Sequence, residues 1–464
     1  MKNKLLILSI LFAYVFVGCQ TENPENNRIQ PWSENPWFWQ YKGEPIMLLG
    51  ASSDDNLFQW PTEILIPHLD SMKSVGANYV RNTMSDRQDK GFEFYPFLQL
   101  ENGKYDLEQL NEDYYNRFKF FLKETEKRDI IVQIEVWDRF DYARNHWPIH
   151  PFNPKNNVNY NSEESGLDLD YPDHPGQNKQ PFFFTTPNQR NNELLLKYQK
   201  SRVEKMLEIS FDYDNVLYCM DNETSGEEEW AVFWSGLILN KAKEAGKQVC
   251  VTEMWDSWDL KSDSHKRTFD HSERYVFCDV SQNNQQKGQV HWDNFQWVRN
   301  YISTKPRPLN TVKTYGLDGG RHGNTKDGIE RWWRHVIGGA ATARFHRPDA
   351  GLGLSELSMN CVKVAREIEK TTKFWDLQPG NNLLSEREEN EAFLTSKPGE
   401  TYVLFFTDGG EVGLDLTEFD KEFTLKWMEI RTGNMKSEST LGGGKIVSLK
   451  APGSLEWIAL ITSK

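Results

Sequence analysis

Apolar residues in this chain fall into two alternating textures. Short runs that are apolar at nearly every position alternate, from Trp32 onward, with longer stretches in which apolar residues recur every third or fourth position. A run apolar on both faces suits a strand of a parallel sheet covered by helices, and the wider spacing suits an amphipathic helix. The runs fall at 45–50, 78–82, 130–138, 216–220, 248–255, 275–280, 309–316 and 340–347. Helical patterns lie between them at 63–75, 110–127, 192–210 and 230–245, and a last one covers 355–372. About eight strand–helix units predict an α/β fold closed as a (β/α)8 barrel, although an open doubly wound sheet has the same periodicity. A long stretch at 139–189, rich in Pro, Asn, Asp and aromatic residues, predicts a loop that walls one side of the barrel mouth.

Beyond 376 the texture changes. Short alternating runs separated by turn signals such as Asp408-Gly-Gly and Gly442-Gly-Gly predict a small antiparallel β-sandwich domain over 377–464. The barrel is assigned to 31–376. Ahead of it, Lys2 and Lys4 precede an apolar run at 5–17 and then Gly18-Cys19. The run is short for a membrane span and has the charge pattern of a secretory signal. The small residue before Cys19 resembles a bacterial lipobox, which implies cleavage there and lipidation of Cys19; ordinary secretion with an unmodified cysteine is the alternative. Residues 1–19 are therefore expected to be a lipoprotein signal peptide and 20–30 a polar tether. The chain is expected at the bacterial cell envelope, periplasmic or on the outer-membrane surface, with its lipid anchor as the only membrane contact.

Composition narrows the function further. A net charge of −14 argues against nucleic acid or an anionic bilayer as partner, since both demand a cationic face. Cys219, Cys250, Cys278 and Cys361 show no CxxC spacing and suit buried thiols. His146, His150, His346, Asp138 and Asp349 match no compact ligand motif, and no nucleotide-binding or nucleophile-elbow motif stands in a strand–turn–helix context, so no metal or cofactor is expected. A monomer is expected. Seventeen tryptophans exceed ordinary core needs, and indole faces suit the C–H side of sugar rings.

The candidate chemistry centres on Val216-Leu-Tyr-Cys-Met-Asp-Asn-Glu-Thr-Ser-Gly226. An apolar run breaks there into Asp221, Asn222 and Glu223, which places a carboxylate at the rim where α/β barrels keep their active sites. Glu223 is thus a candidate catalytic acid, the alternative being that Asp221 and Glu223 cap the next helix. Together with Gly76-Ala-Asn-Tyr-Val-Arg81, the Asn222-Glu223 pair resembles the second- and fourth-strand motifs of the clan of retaining glycoside hydrolases that contains the family 5 cellulase-like enzymes. With its lipoprotein signal and C-terminal sandwich, the chain is similar to the cellulase-like glycosidases of gut and marine Bacteroidetes, including the apiosidase-like group. The resemblance implies that Glu223 is the general acid/base, that Asn222 binds a substrate 2-hydroxyl and that Arg81 steadies the nucleophile.

The seventh run departs from that pattern. It reads Lys313-Thr314-Tyr315-Gly316, with Thr314 where the resemblance calls for a nucleophilic Glu. Glycoside hydrolysis normally uses two carboxyl groups, about 5–5.5 Å apart for retention and roughly 6.5–9.5 Å for inversion, one of them kept protonated by burial or a neighbouring charge. Glu253 is the first candidate for the second carboxyl and Asp318 the second; Asp279, Asp138, Glu135 and Asp349 are further rim acids. Candidate sugar-binding residues after the strand ends are Asp54, Asp55, Arg81, Asn82, Trp137, Asp138, Asn222, Trp255, Asn283, Lys313, Tyr315, His346 and Arg347, with His146, Trp147, Asp256, Trp258, Gln282 and Asn284 in the same set. Lys313, Arg344, His346 and Arg347 suit a uronic-acid carboxylate. The reading is a glycoside hydrolase expected to act from a chain end on a plant, algal or host saccharide. A non-catalytic glycan-binding lipoprotein on a degenerate barrel, and a polysaccharide lyase using Lys313, Tyr315 or His346, are the alternatives.

Overall fold

The run at 45–50 supplies the first strand of a parallel barrel in the computed structural model, which describes residues 27–85 and 87–464. Its strands are β1 (Leu48–Ala51), β2 (Tyr79–Thr83), β3 (Ile131–Asp138), β4 (Val216–Asn222), β5 (Val251–Thr252), β6 (Cys278–Asp279), β7 (Leu309–Asn310) and β8 (Thr342–Phe345). Each is followed by a helix: α1 (Thr62–Ser74), α2 (Glu112–Glu126), α3 (Glu193–Ser210), α4 (Glu228–Glu244), α5 (Asp263–Phe269), α6 (Gly288–Tyr301), α7 (Thr325–Ile337) and α8 (Glu356–Glu369). Six strands pair in the order β5-β4-β3-β2-β1-β8, and β6 pairs with β7. Further hydrogen bonds link these two groups. Ala341 N donates to Leu309 O at 3.0 Å, and Thr252 Oγ1 donates to Phe277 O at 2.8 Å. The sheet therefore closes, and the open doubly wound alternative is set aside.

The barrel interior is partly polar. Tyr79 donates to Gln133 Oε1 (2.6 Å), Asn310 to the same oxygen (3.2 Å), and Gln133 to Asp279 Oδ2 (3.2 Å). Each buried amide thus finds a partner, as a dry interior demands. A short antiparallel ribbon, Gln30–Pro31, Trp39–Tyr41 and Glu44–Ile46, closes the far end of the barrel. Trp39 is fully buried there and donates to Asn310 Oδ1 at 3.0 Å. Ile29 is buried too, and its N–H donates to Asp214 O at 2.9 Å, so the last residues of the expected tether belong to the folded body. The expected signal peptide, Cys19 and residues 20–26 lie outside the described residues.

The C-terminal runs form two antiparallel sheets. The larger pairs β9 (Gln378–Pro379), β11 (Ala392–Lys397), β12 (Thr401–Phe406), β17 (Trp457–Ser463), β14 (Glu422–Glu429) and β15 (Asn434–Gly442) in that order; the smaller pairs β10 (Leu384–Ser385), β13 (Glu411–Asp415) and β16 (Ile446–Lys450). The sequence of β12, Thr-Tyr-Val-Leu-Phe-Phe, is apolar on both faces because both are covered. Tyr402, Leu404 and Phe406 pack into the core between the two sheets, whereas Val403 and Phe405 join the barrel's core. Trp333 of α7 stacks on Phe405 with ring centroids 6.0 Å apart and is fully buried. Trp333→Ala should lower unfolding free energy by about 3–5 kcal/mol in denaturant titration. A loss below about 1 kcal/mol would mean that this seam contributes little.

Candidate active site

Five fully buried residues, Val216 to Met220, hold β4 rigid up to its last turn. Asp221 then pairs with Arg139 inside the wall (2.6 Å), Asn222 donates to Asp138 Oδ1 (3.1 Å), and the backbone of Glu223 enters the left-handed region with φ of 59°. Such a conformation is uncommon for a glutamate and persists where the surroundings impose it. The Glu223 carboxylate faces Lys313 from the end of β7. Lys313 Nζ donates to Glu223 Oε1 at 2.5 Å and to Asn222 Oδ1 at 2.7 Å, and the Tyr315 hydroxyl lies 3.4 Å from the same Glu223 oxygen. Burial by itself raises the Glu223 pKa, but the Lys313 ammonium, with help from Arg81, outweighs it and holds the carboxyl down at about 2. Burial pulls Lys313 the other way, and Glu223 more than restores it, so the ammonium is kept charged.

A second carboxyl stands beside this pair in the opposite state. Beyond their last regular residues β4 and β5 stay together: Thr224 N donates to Met254 O (2.7 Å) and Asp256 N to Thr224 O (3.0 Å). That short bridge sets Asp256 beside the segment that carries Glu223, half-buried and just outside the lining of the cavity. Burial and then the Glu223 charge push the Asp256 carboxyl up to about 6. The loop after β3 passes over it, with Gly176 against Asp256 and Asn178 Nδ2 donating to Ser225 O at 2.6 Å. Two neighbouring carboxyl groups with separated protonation equilibria are the arrangement that acid–base chemistry requires.

The opposite wall is cationic and tightly braced. Asp55, almost fully buried, accepts from Arg81 (2.6 Å), Arg344 (2.8 Å) and Arg347 (2.9 Å). Burial opposes ionisation of Asp55, yet Arg81, Arg344 and Arg347 hold it well below the usual carboxylate range. Arg81 Nε also donates to Glu135 Oε1 at 2.7 Å, and Arg87 bridges Asp138 and Asp141. Burial drives His346 well down, so its ring is neutral, and it stands edge-on to Tyr315 at 5.0 Å. These groups enclose a cavity of about 330 Å3, lined by Arg81, Arg87, Phe140, Asn222, Glu223, Lys313, Arg321, His322, His346, Arg347, Asp349 and Ala350.

Asn222, Glu223, Arg81, Lys313, His346 and Arg347 thus meet at one cavity, with Tyr315 bonded to Glu223 and Asp55 and Asp138 bracing the arginines. Asp54 lies farther out, bonded to Trp60 Nε1 (2.8 Å) and paired with Lys90. The other expected positions lie elsewhere. Glu253 is fully buried behind the rim, where Thr224 Oγ1 (2.6 Å) and Met254 N (2.9 Å) bond its Oε1. Burial, then Asp221, pushes its pKa well up. It does not line the cavity. Asp318 is exposed and accepts from Thr325 N (2.9 Å) at the start of α7. Trp137 packs among Tyr142, Phe182, Trp230 and Trp234, and Trp255 donates to Thr268 Oγ1 at 2.7 Å on α5; both are core residues, unavailable to a sugar. Asn82 accepts from Phe58 N (3.3 Å) and Asn283 donates to His291 O (2.9 Å), both fully buried. Arg87, Arg321 and His322, which line the cavity, come from loops without any periodic signal.

No protein-family model matches this sequence, and a search of curated proteins finds no match. Solved structures do match. A glycoside hydrolase family 5 structure from Bacteroides vulgatus aligns over 94% of both chains with a TM-score of 0.63 at 13% identity. A second glycoside hydrolase aligns over 94% of this chain and 97% of its own, with a TM-score of 0.63 at 10% identity. A noncanonic maltogenic alpha-amylase from Thermotoga neapolitana aligns over 90% and 98%, with a TM-score of 0.51 at 10% identity. At these identities the likeness is one of fold: a (β/α)8 barrel followed by antiparallel sheets.

Proposed function

We propose that the protein is a glycoside hydrolase in which Glu223 acts as the carboxylate base or nucleophile and Asp256 as the proton donor. What supports this reading is the arrangement at the rim: Glu223 lines the cavity and pairs with Lys313, and the Thr224 bridge fixes Asp256 where the Glu223 charge, after burial, helps to push its carboxyl up to about 6. The assignment reverses the role that the sequence resemblance implies for Glu223. A carboxyl paired with a buried ammonium has no proton to give near neutrality, whereas Asp256 retains one over a useful part of that range. Asp256 would protonate the glycosidic oxygen as the bond to the anomeric carbon breaks. Glu223 would meet the developing oxocarbenium ion directly or through a water. Arg81, Asn222 and Tyr315 hold Glu223 and the sugar in register. The solved structures that share the fold, two of them glycoside hydrolases, support the same class of reaction on a saccharide.

The lyase alternative fits less well. Lys313 and Tyr315 are both pushed up, away from the deprotonated form that a lyase base needs. Attachment to the cell envelope through lipidated Cys19, cleavage from a chain end inside the cavity, and a monomeric state complete the proposal.

The pH profile tests the donor. Asp256 has a raised pKa, so its protonated form is full below about 6 and is lost above it, and kcat/KM should fall as pH rises through that value. In Asp256→Asn this alkaline limb should vanish, with a loss of about 10²–10⁴-fold on alkyl glycosides. Aryl glycosides with acidic phenol leaving groups, which need little protonation, should lose far less. Equal losses on both substrates would remove Asp256 from the donor role.

A further inference from the structure

A second cavity, of about 700 Å3, adjoins the first and shares Arg321 and His322 with it. Its remaining lining is Trp258, Gln285, Gln286, Lys287, Val290, Gly323 and Arg331. No acidic residue contributes to that lining, in a chain whose net charge is −14. Arg321, Lys287 and Arg331 line it together. Arg331 is the most telling of the three. It is 2% exposed, and its guanidinium is satisfied by carbonyl oxygens, those of Gln286 (2.7 Å), Tyr315 (2.9 Å) and His322 (2.8 Å). These bonds fix the group in place, and the carboxylates that act on it, Asp327 and Glu330, stand outside the cavity's lining. Trp258, in contrast to the buried Trp137 and Trp255, is 59% exposed and offers its ring to the cavity.

From this we infer that the second cavity is a subsite for a sugar residue carrying an anionic group, a carboxylate or a sulfate, on the leaving-group side of the scissile bond. The direction rests on the proposed donor role of Asp256: Trp258 follows it by two residues, and the leaving sugar must lie on the donor's side. Trp258 supplies the apolar face for the ring, and Lys287, Arg321 and Arg331 supply the counter-charge. The local reversal of sign also gives an acidic protein a place to accept an acidic polymer.

The test measures binding rather than turnover, so that it is separable from the hydrolase reading. Calorimetric titrations of Glu223→Gln would use trigalacturonate, a sulfated carrageenan oligosaccharide and neutral cellotriose. An acidic probe is expected to bind at least about tenfold more tightly than cellotriose, with the margin shrinking as salt is raised. Preference for trigalacturonate over the sulfated probe, or the reverse, names the anion. In the additional double variant Lys287→Ala/Arg321→Ala, both positions being exposed, the margin should disappear. Equal binding of the three probes, absence of binding by all of them, or a margin that survives the double variant would overturn the inference. Turnover of aryl glycosides by the wild-type protein reports on the parent reading independently.

Discussion

Glu223→Gln is expected to lower turnover by about 10³-fold or more while the fold survives. The amide matches the carboxylate in shape, and its oxygen still accepts from Lys313 Nζ, so neither a cavity nor a displaced backbone follows. What disappears is the negative charge that would stabilise the oxocarbenium ion or activate a water. The backbone at 223 is already in the left-handed region, and glutamine tolerates it about as well as glutamate does, so strain is unchanged. Turnover and a denaturation midpoint should be measured on the same preparation. Rates within about tenfold of wild type, with the fold intact, would show that Glu223 takes no part in the chemistry. Added azide should restore part of the rate to Glu223→Ala if the residue is the nucleophile, because the anion fits the vacated space, and the configuration of the glycosyl azide then reports the stereochemistry.

The barrel was legible in the sequence because its signal is repeated. Every barrel strand is buried along its length, and five of the eight helices already show as helical patterns, so a single ambiguous element does not alter the count. Glu223 was legible for a related reason: the fully apolar run 216–220 ends abruptly, and the first acids after it must stand at the rim. Which acid faces it was not legible. The run at 248–255 reads as a long strand, and alternation would then decide which of its side chains point inward. The regular strand is only Val251–Thr252, and beyond it the chain follows Thr224 through an irregular bridge that buries Glu253 and Trp255 and presents Asp256. A two-residue period does not survive such a bend. Tryptophan is ambiguous in the same way: Trp137, Trp255 and Trp258 all stand at or beyond strand ends, yet of these Trp258 alone is exposed, since an indole satisfies a core as readily as it stacks on a sugar. Asp318 was misleading because a residue that meets the start of a helix also follows a strand. The substitution of Thr314 for the expected glutamate carried the most information. Its neighbour Lys313 is the residue that reaches the cavity, where its ammonium donates to Glu223 Oε1 and Asn222 Oδ1.

Lys313→Met should therefore invert the pH behaviour of the Glu223 carboxyl. In the wild-type protein the Glu223 pKa is depressed from its ordinary value of 4.5 to about 2, so its contribution to stability is present above about 4.5 and is lost as pH falls toward 2. Methionine fills the same space without charge. Burial, which favours the protonated form, is then opposed chiefly by Arg81, and the carboxyl should move upward. A buried carboxylate deprived of its partner costs about 3–5 kcal/mol, so the variant should be less stable than wild type by that order near neutrality. Acidification relieves the penalty, since the unpaired carboxyl takes up a proton in the folded state before it would in the unfolded one. The stability gap between variant and wild type should therefore narrow as pH is lowered from about 7 to about 5, although acid works against the wild-type pair at still lower pH. The acid limb of kcat/KM should rise in parallel, because the role proposed for Glu223 needs it ionised. A gap that stays constant over that interval, together with an unmoved acid limb, would mean that Lys313 does not hold Glu223 in its charged state, and the division of roles between Glu223 and Asp256 would lose its physical basis.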